Sequence, residues 1–193
     1  MADHPRQAYE AARAFGAFQQ LLCDMNPEDI HETIPFFHHP RRRFDHLEKA
    51  AETDEAVCVI DLDTVMPGSV LYDFGDMVRT MTSPTAEDEE DPDKTFMRMP
   101  MFEAVVKGYL ETARDFITPQ EVSKPAFSGL LITLETGIRF LTDYLEGDVY
   151  FKTKKERHNL YRARTQLRLA ESMEEQMPEM EEYVRKCFQT VNG

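Results

Sequence analysis

Ala56-Val57-Cys58-Val59-Ile60-Asp61-Leu62-Asp63 is the one stretch of this chain that reads as a β-strand. It is short, almost continuously apolar and β-branched, the pattern of a strand covered on both faces. Alternation points Asp61 and Asp63 to the same side at the strand's end. Two carboxylates so placed can face one magnesium ion, which takes one or two carboxylates plus phosphate oxygens and water. The same pair serves equally well as a solvated acidic strand end or as a cap for the next turn. Spacing alone leaves these readings even.

On either side of this strand the periodicity is helical. Tyr9, Ala12, Phe15, Phe18, Leu21 and Leu22 recur every three or four residues, which predicts an amphipathic helix over 6–24. Pro27 and Ile34-Pro35-Phe36-Phe37 mark a loop, and a short helix is expected over 42–51. Pro67-Gly68 turns the chain after the strand, and a short helix follows over 71–80. Residues 83–94, rich in Asp and Glu, read as a mobile acidic loop. Further helices are predicted over 101–116, 119–145 with an interruption at Gly129, 153–177, and 178–191. Pro119 and Pro178 suit a first helical turn, where the missing N–H costs nothing. The expected fold class is mainly α with a small β element, in a single domain spanning 1–193.

The charge balance narrows the function classes. Lys and Arg number 22 against 36 Asp and Glu, a formal net charge of −14. Such a chain repels phosphate backbones and anionic lipid surfaces, so neither nucleic acid nor membrane is expected as a partner. ATP is not excluded, because carboxylates holding magnesium make an acidic site attractive to phosphates. Cys23, Cys58 and Cys187 are far apart and form no Cys-x-x-Cys pair, so they read as reduced thiols. The opening residues contain no apolar signal region, and a cytoplasmic location is expected.

Downstream of the strand, Pro67-Gly68 and Tyr72-Asp73-Phe74-Gly75-Asp76-Met77-Val78-Arg79 resemble the aminoglycoside phosphotransferase and choline kinase superfamily. The stretch Glu135 to Phe151, with His158-Asn159-Leu160 and Arg164-Thr165-Gln166, is similar to the substrate-lobe segment of its N-acetylhexosamine 1-kinase-like branch. Tyr9 to Gly16 and His31 to Pro35 continue the likeness over nearly the whole chain.

The resemblance implies the helical C-terminal lobe of a protein-kinase-like fold and transfer of a phosphoryl group from ATP to an amino sugar, with Mg2+. It makes Asp61 the magnesium ligand and Asp63 a weaker or supporting one. It assigns Arg139 and Tyr150 to sugar binding, where an Arg supplies a fork of donors and a Tyr a ring face and a hydroxyl. Without the family, those two residues are more simply a helix-surface ion pair and a packed aromatic. Asp73-Phe74-Gly75 spells the magnesium motif of protein kinases. In this branch, however, the metal ligand ends the strand, so Asp73 is expected to bond backbone near the site. Asp76 and Arg79 are expected to form a structural pair.

Two parts of a phosphoryl-transfer machine are missing from the sequence. The catalytic Asp-x-x-x-x-Asn loop should precede the strand, yet Asn26, Asn159 and Asn192 are preceded five residues earlier by Leu21, Lys154 and Cys187. No Gly-rich phosphate loop exists either, since no two glycines lie closer than Gly68 and Gly75. The nucleotide-binding N-terminal lobe is therefore expected to be absent, which leaves room for a partner chain to supply it. The expected function is that of a sugar-kinase lobe unable to turn over alone; the alternative is a non-catalytic pseudokinase that binds a sugar or a partner. Lesser constellations read as structure: His31, His38, His39 and His46 as solvated loop residues, and 87–93 as an acidic run without calcium-loop spacing.

Overall fold

The computed structural model describes residues 2–23 and 69–189. Within them the chain is helical: α1 (Pro5–Leu22), α2 (Val70–Thr82), α3 (Met99–Ala113), the single turn α4 (Pro119–Val122), α5 (Pro125–Leu145) and α6 (His158–Gln189). A 3-10 turn at Pro92–Lys94 lies between α2 and α3. No strand occurs among the described residues. The expected strand over 56–62, the helix over 42–51, and Asp61 and Asp63 with them lie outside the described residues.

Two helix pairs make the core, α1 against α3 and α5 against α6, with α2 packed between α5 and α3. The first pair approaches so closely that a Cβ on Gly108 would sit 2.0 Å from the carbonyl oxygen of Tyr9. The α2–α5 crossing is tight for the same reason: a Cβ on Gly75 would come within 2.6 Å of the Ser128 carbonyl oxygen, and one on Gly129 within 2.7 Å of Val78. Gly129 thus lets two helices meet and does not interrupt α5, contrary to expectation. The break falls one turn earlier, where Pro125 begins a new helix after α4, which the capping box of Thr118 and Glu121 starts and Ser123 closes. Phe74, Phe102, Tyr109, Leu169 and Met173 fill the space between the layers. Burial of each contributes roughly 1.5–3 kcal/mol before entropy is counted.

Pro178 is a second correction. It stands inside one continuous helix, α6, rather than at the start of a new one. Proline in a helix interior deletes one hydrogen bond and crowds the carbonyl four residues back. Here Pro178 faces solvent, where water can satisfy that carbonyl, while Met173 and Met180 on either side are anchored in the core. Packing outweighs the local penalty. The start of α6 also moves, from the expected Thr153 to His158, because residues 146–157 form a loop. No described helix is long and apolar enough to cross a membrane.

Segment 83–94, expected as a mobile acidic loop, is anchored at many points. Arg98 spans its base, donating to the carbonyls of Thr82, Met81 and Ser83 at the end of α2 and to that of Ala2. Thr85 and Thr95 join its two ends through their hydroxyls at 2.8 Å. On the far side Lys155 reaches Glu90 and Asp88, and the Thr165 hydroxyl donates to the Glu89 carbonyl.

Candidate functional site

The loop between α5 and α6 carries a connected polar constellation built around Asp143 and Asn159. Its turn is built on two residues with positive φ, Gly147 at 94° and Asp148 at 59°. Glycine accepts that region freely and aspartate tolerates it. Asp143, in the last turn of α5 and only 3 % exposed, receives the chain as it returns. Its carboxylate accepts the backbone N–H groups of Tyr150 at 2.7 Å and Phe151 at 3.0 Å, and the side-chain amide of Asn159 at 2.7 Å. The fully buried Asn159 donates as well to Asp148 at 2.9 Å, and accepts from Arg162 at 3.0 Å. Burial pushes the Asp143 carboxyl up, but the backbone N–H groups of Phe151, Tyr150 and Val149 outweigh it and hold the group below its ordinary 3.8.

That loop delivers the Phe151 ring to Arg139 on α5, with Tyr150 packed on the Phe151 ring. The Arg139 guanidinium lies 5.5 Å from the centre of the Phe151 ring, a cation–π distance. Phe151 packs on the buried Phe140 at 4.7 Å and edge-on to Tyr150 at 4.8 Å. Tyr150 itself is 74 % exposed. Arg139 departs from the simpler expectation, whereas Tyr150 keeps an aromatic packing contact with Phe151. Arg139 makes no ion pair with any described residue, and the Tyr150 ring faces solvent. The geometry is an exposed cationic fork over the Phe151 ring, with the exposed Tyr150 ring and hydroxyl against the same Phe151.

A second group of sequence-singled residues lies on α2. Asp73-Phe74-Gly75 is helix interior, with Phe74 buried against Tyr109 at 5.1 Å. Among the described residues Asp73 bonds a side chain: Gln19 donates to it at 2.6 Å and in turn accepts from the Tyr109 hydroxyl at 2.6 Å. Burial is the chief reason that the Asp73 carboxyl is pushed up, with Asp76 adding to it and the Gln19 bond opposing. Asp76 and Arg79 are paired at 2.8 Å.

These groups are joined by residues that sequence reasoning passed over. Arg79 reaches Glu87 at 2.9 Å, Glu87 faces Arg162 at 3.7 Å, and Arg162 reaches Asn159. Burial of Arg79 would depress its pKa, but Asp76 and Glu87 outweigh it and hold the guanidinium in its charged form. Glu87, read from composition as one of many solvated acids, therefore bridges two half-buried arginines. Glu87→Gln is expected to lower stability by about 1 kcal/mol, the cost of an unpaired cation after solvent screening. Urea unfolding checks this; a midpoint unchanged from the parent would remove Glu87 from the bridge.

The same segment holds the start of α6. His158 accepts the Lys154 backbone N–H on Nδ1 at 3.1 Å, so Nε2 carries the proton and donates to Asp88 at 3.0 Å. Burial raises the Asp88 carboxyl, but bonds from His158 and Lys155 outweigh this and draw it below its ordinary value. Asp88 and Asp143 both have folded pKa values below the unfolded ones. Their contribution is fully present above the unfolded carboxylate pKa, about 3.9, and is lost as pH falls through the folded values. The melting temperature is expected to drop between pH 5 and pH 2.5, and the drop should be shallower in Asp143→Asn. An equal acid limb in that variant would count against the Asp143 assignment.

Among the described residues no cluster of three or more His, Cys, Asp or Glu side chains is arranged to hold a metal. A scan against models of known protein families finds no match for this chain.

Proposed function

We propose that this chain is the sugar-holding helical lobe of a small-molecule kinase of the aminoglycoside phosphotransferase type, in the N-acetylhexosamine-directed branch, and that by itself it binds sugar without phosphorylating it. The observation that carries the reading is the Arg139–Phe151–Tyr150 cluster. Arg139 and Tyr150 stand on different elements, yet the 146–157 loop brings the Tyr150 ring against Phe151, over which Arg139 lies. An Arg fork and an exposed Tyr are the groups that hydroxyl and acetamido oxygens need. ATP and Mg2+ belong to the reading as phosphoryl donor and cofactor, with Asp61 as the ligand and Asp63 beside it. The missing Asp-x-x-x-x-Asn loop leaves no base to orient the attacking hydroxyl.

N-acetylglucosamine or N-acetylgalactosamine should bind saturably to the full chain in calorimetry without ATP. Arg139→Ala should weaken that binding about tenfold, the cost of one charge-assisted hydrogen bond. With ATP and Mg2+ added, no sugar phosphate should accumulate. Turnover by this chain would defeat the claim that the missing loop is needed, and absence of saturable binding would defeat the sugar assignment.

A further inference from the structure

We propose that Asp143 and Asn159 are the positioning residues of this sugar site, a carboxylate–carboxamide clasp that fixes the 147–151 backbone and so sets where Tyr150 is presented beside Arg139. The inference rests on the sugar reading of Arg139 and Tyr150 and extends it to groups that touch no ligand.

Tyr150 is exposed, and no packing of its own side chain into the core holds it in place. Its backbone is held instead. A single buried carboxylate accepts consecutive N–H groups, from Tyr150 and Phe151, and this bidentate grip fixes the orientation of two peptide planes. Phe151 is thereby seated on Phe140 and under Arg139. Asn159 completes the clasp from α6. It binds the same Asp143 oxygen as Phe151 and also Asp148, the residue that turns the chain with positive φ. Arg162 in turn holds the Asn159 oxygen at 3.0 Å, donates to the Lys152 carbonyl at 3.3 Å and lies 5.3 Å from the Phe140 ring centre. Every element around the ligand-facing ring thus leads back to the Asp143–Asn159 pair.

The chemistry is specific to the residue types. Asparagine at 143 keeps the shape but points an NH2 group at donors: placed at Oδ1 it opposes the Tyr150 N–H, and placed at Oδ2 it opposes both the Phe151 N–H and the Asn159 amide. Asp148→Ala removes the outer contact and adds strain at the positive φ of 59°, but leaves the Asp143 grip on Tyr150 in place.

The test uses the isotopically labelled full chain and N-acetylglucosamine, at a temperature where each variant is folded by circular dichroism. Amide exchange and sugar affinity are read together in Asp143→Asn, Asp148→Ala, Arg139→Ala and the core variant Val105→Ala. In Asp143→Asn, the Tyr150 and Phe151 amides should lose protection while α3 amides keep theirs, and affinity should fall about tenfold. Asp148→Ala should lose about threefold or less, with the Tyr150 amide still protected. Val105→Ala should lower the melting temperature and leave affinity unchanged, which separates positioning from general stability. If Asp143→Asn opens the loop amides yet binds sugar as the parent does, while Arg139→Ala weakens binding, the clasp is overturned and the sugar reading stands. If the unaltered chain does not bind the sugar, the reading falls and the clasp assignment falls with it. Should Asp143→Asn fail to fold, Asn159→Ala carries the test alone, since it removes the amide that binds the Asp143 carboxylate: a severalfold loss of affinity with folded helices supports the clasp, and parental affinity overturns it.

Discussion

Gly108→Ala is expected to destabilise the protein by about 3 kcal/mol, with a melting temperature about 10 °C below that of the parent. The added Cβ would meet the Tyr9 carbonyl oxygen at 2.0 Å, its carbonyl carbon at 2.8 Å and its Cα at 2.9 Å. All three are backbone atoms of α1, so no rotamer change relieves the clash; one helix must move from the other. Moving α1 also disturbs Ala8 and Ala12, both fully buried. Gly147→Ala provides the contrast. Nothing lies within 4 Å of its Cβ position, and its cost is the positive φ of 94° alone, roughly 1 kcal/mol. Thermal unfolding of both variants distinguishes the two causes. A Gly108 variant no less stable than the Gly147 variant would mean that the α1–α3 contact is not as close as described.

Arg98→Met is expected to cost about 2–3 kcal/mol, near 5–10 °C in melting temperature. The Arg98 guanidinium donates to four carbonyl oxygens: Thr82 at 3.0 Å, Met81 at 3.2 Å, Ser83 at 3.0 Å and Ala2 at 2.9 Å. Three of these belong to the end of α2 and the residue after it, where helical carbonyls lack partners and the dipole favours a cation. Thr82 and Ser83 are buried, so water replaces the lost donors poorly. Methionine keeps the apolar stem and removes only the fork, which isolates the hydrogen-bonding contribution. Lysine should recover less than half, because a single ammonium cannot reach carbonyls spread over a planar fork. A melting temperature in Arg98→Met within a degree of the parent would sink this account of how α2 ends.

Helix identity was legible in the sequence because apolar residues recur at helical spacing on the faces that meet neighbouring helices. The expected helix over 6–24 and the described α1 differ only at their ends. Proline was the ambiguous signal. Pro125 begins a helix and Pro178 sits inside one, and the difference lies in where each faces and what anchors the flanking turns. That information is tertiary. Gly129 misled for the same reason, since a close helix crossing and a helix break call for the same residue.

In the candidate site, Arg139 and Tyr150 came to notice through a family likeness and not through their spacing. Asp143, Asn159 and Glu87 gave no signal of their own. Asp143 meets Asn159 across 16 residues, and His158 meets Asp88 across 70, distances over which no local pattern reports. The one available hint was Gly147-Asp148, a turn dipeptide that marks a chain reversal and asks what the neighbouring carboxylate is for.

The same separations set the order in which the molecule can assemble. The Asp143 grip on Tyr150 and Phe151 closes over 7 and 8 residues, and the Asn159 contact over 16. The contacts from the 146–157 loop and α6 to the acidic segment close over 65 to 76 residues, and those joining α1 to α3 over about 100. Short closures cost the least chain entropy and come first. The loop that carries Tyr150 is therefore expected to form with the α5–α6 hairpin as an early folding unit, before the acidic strap is fastened across it.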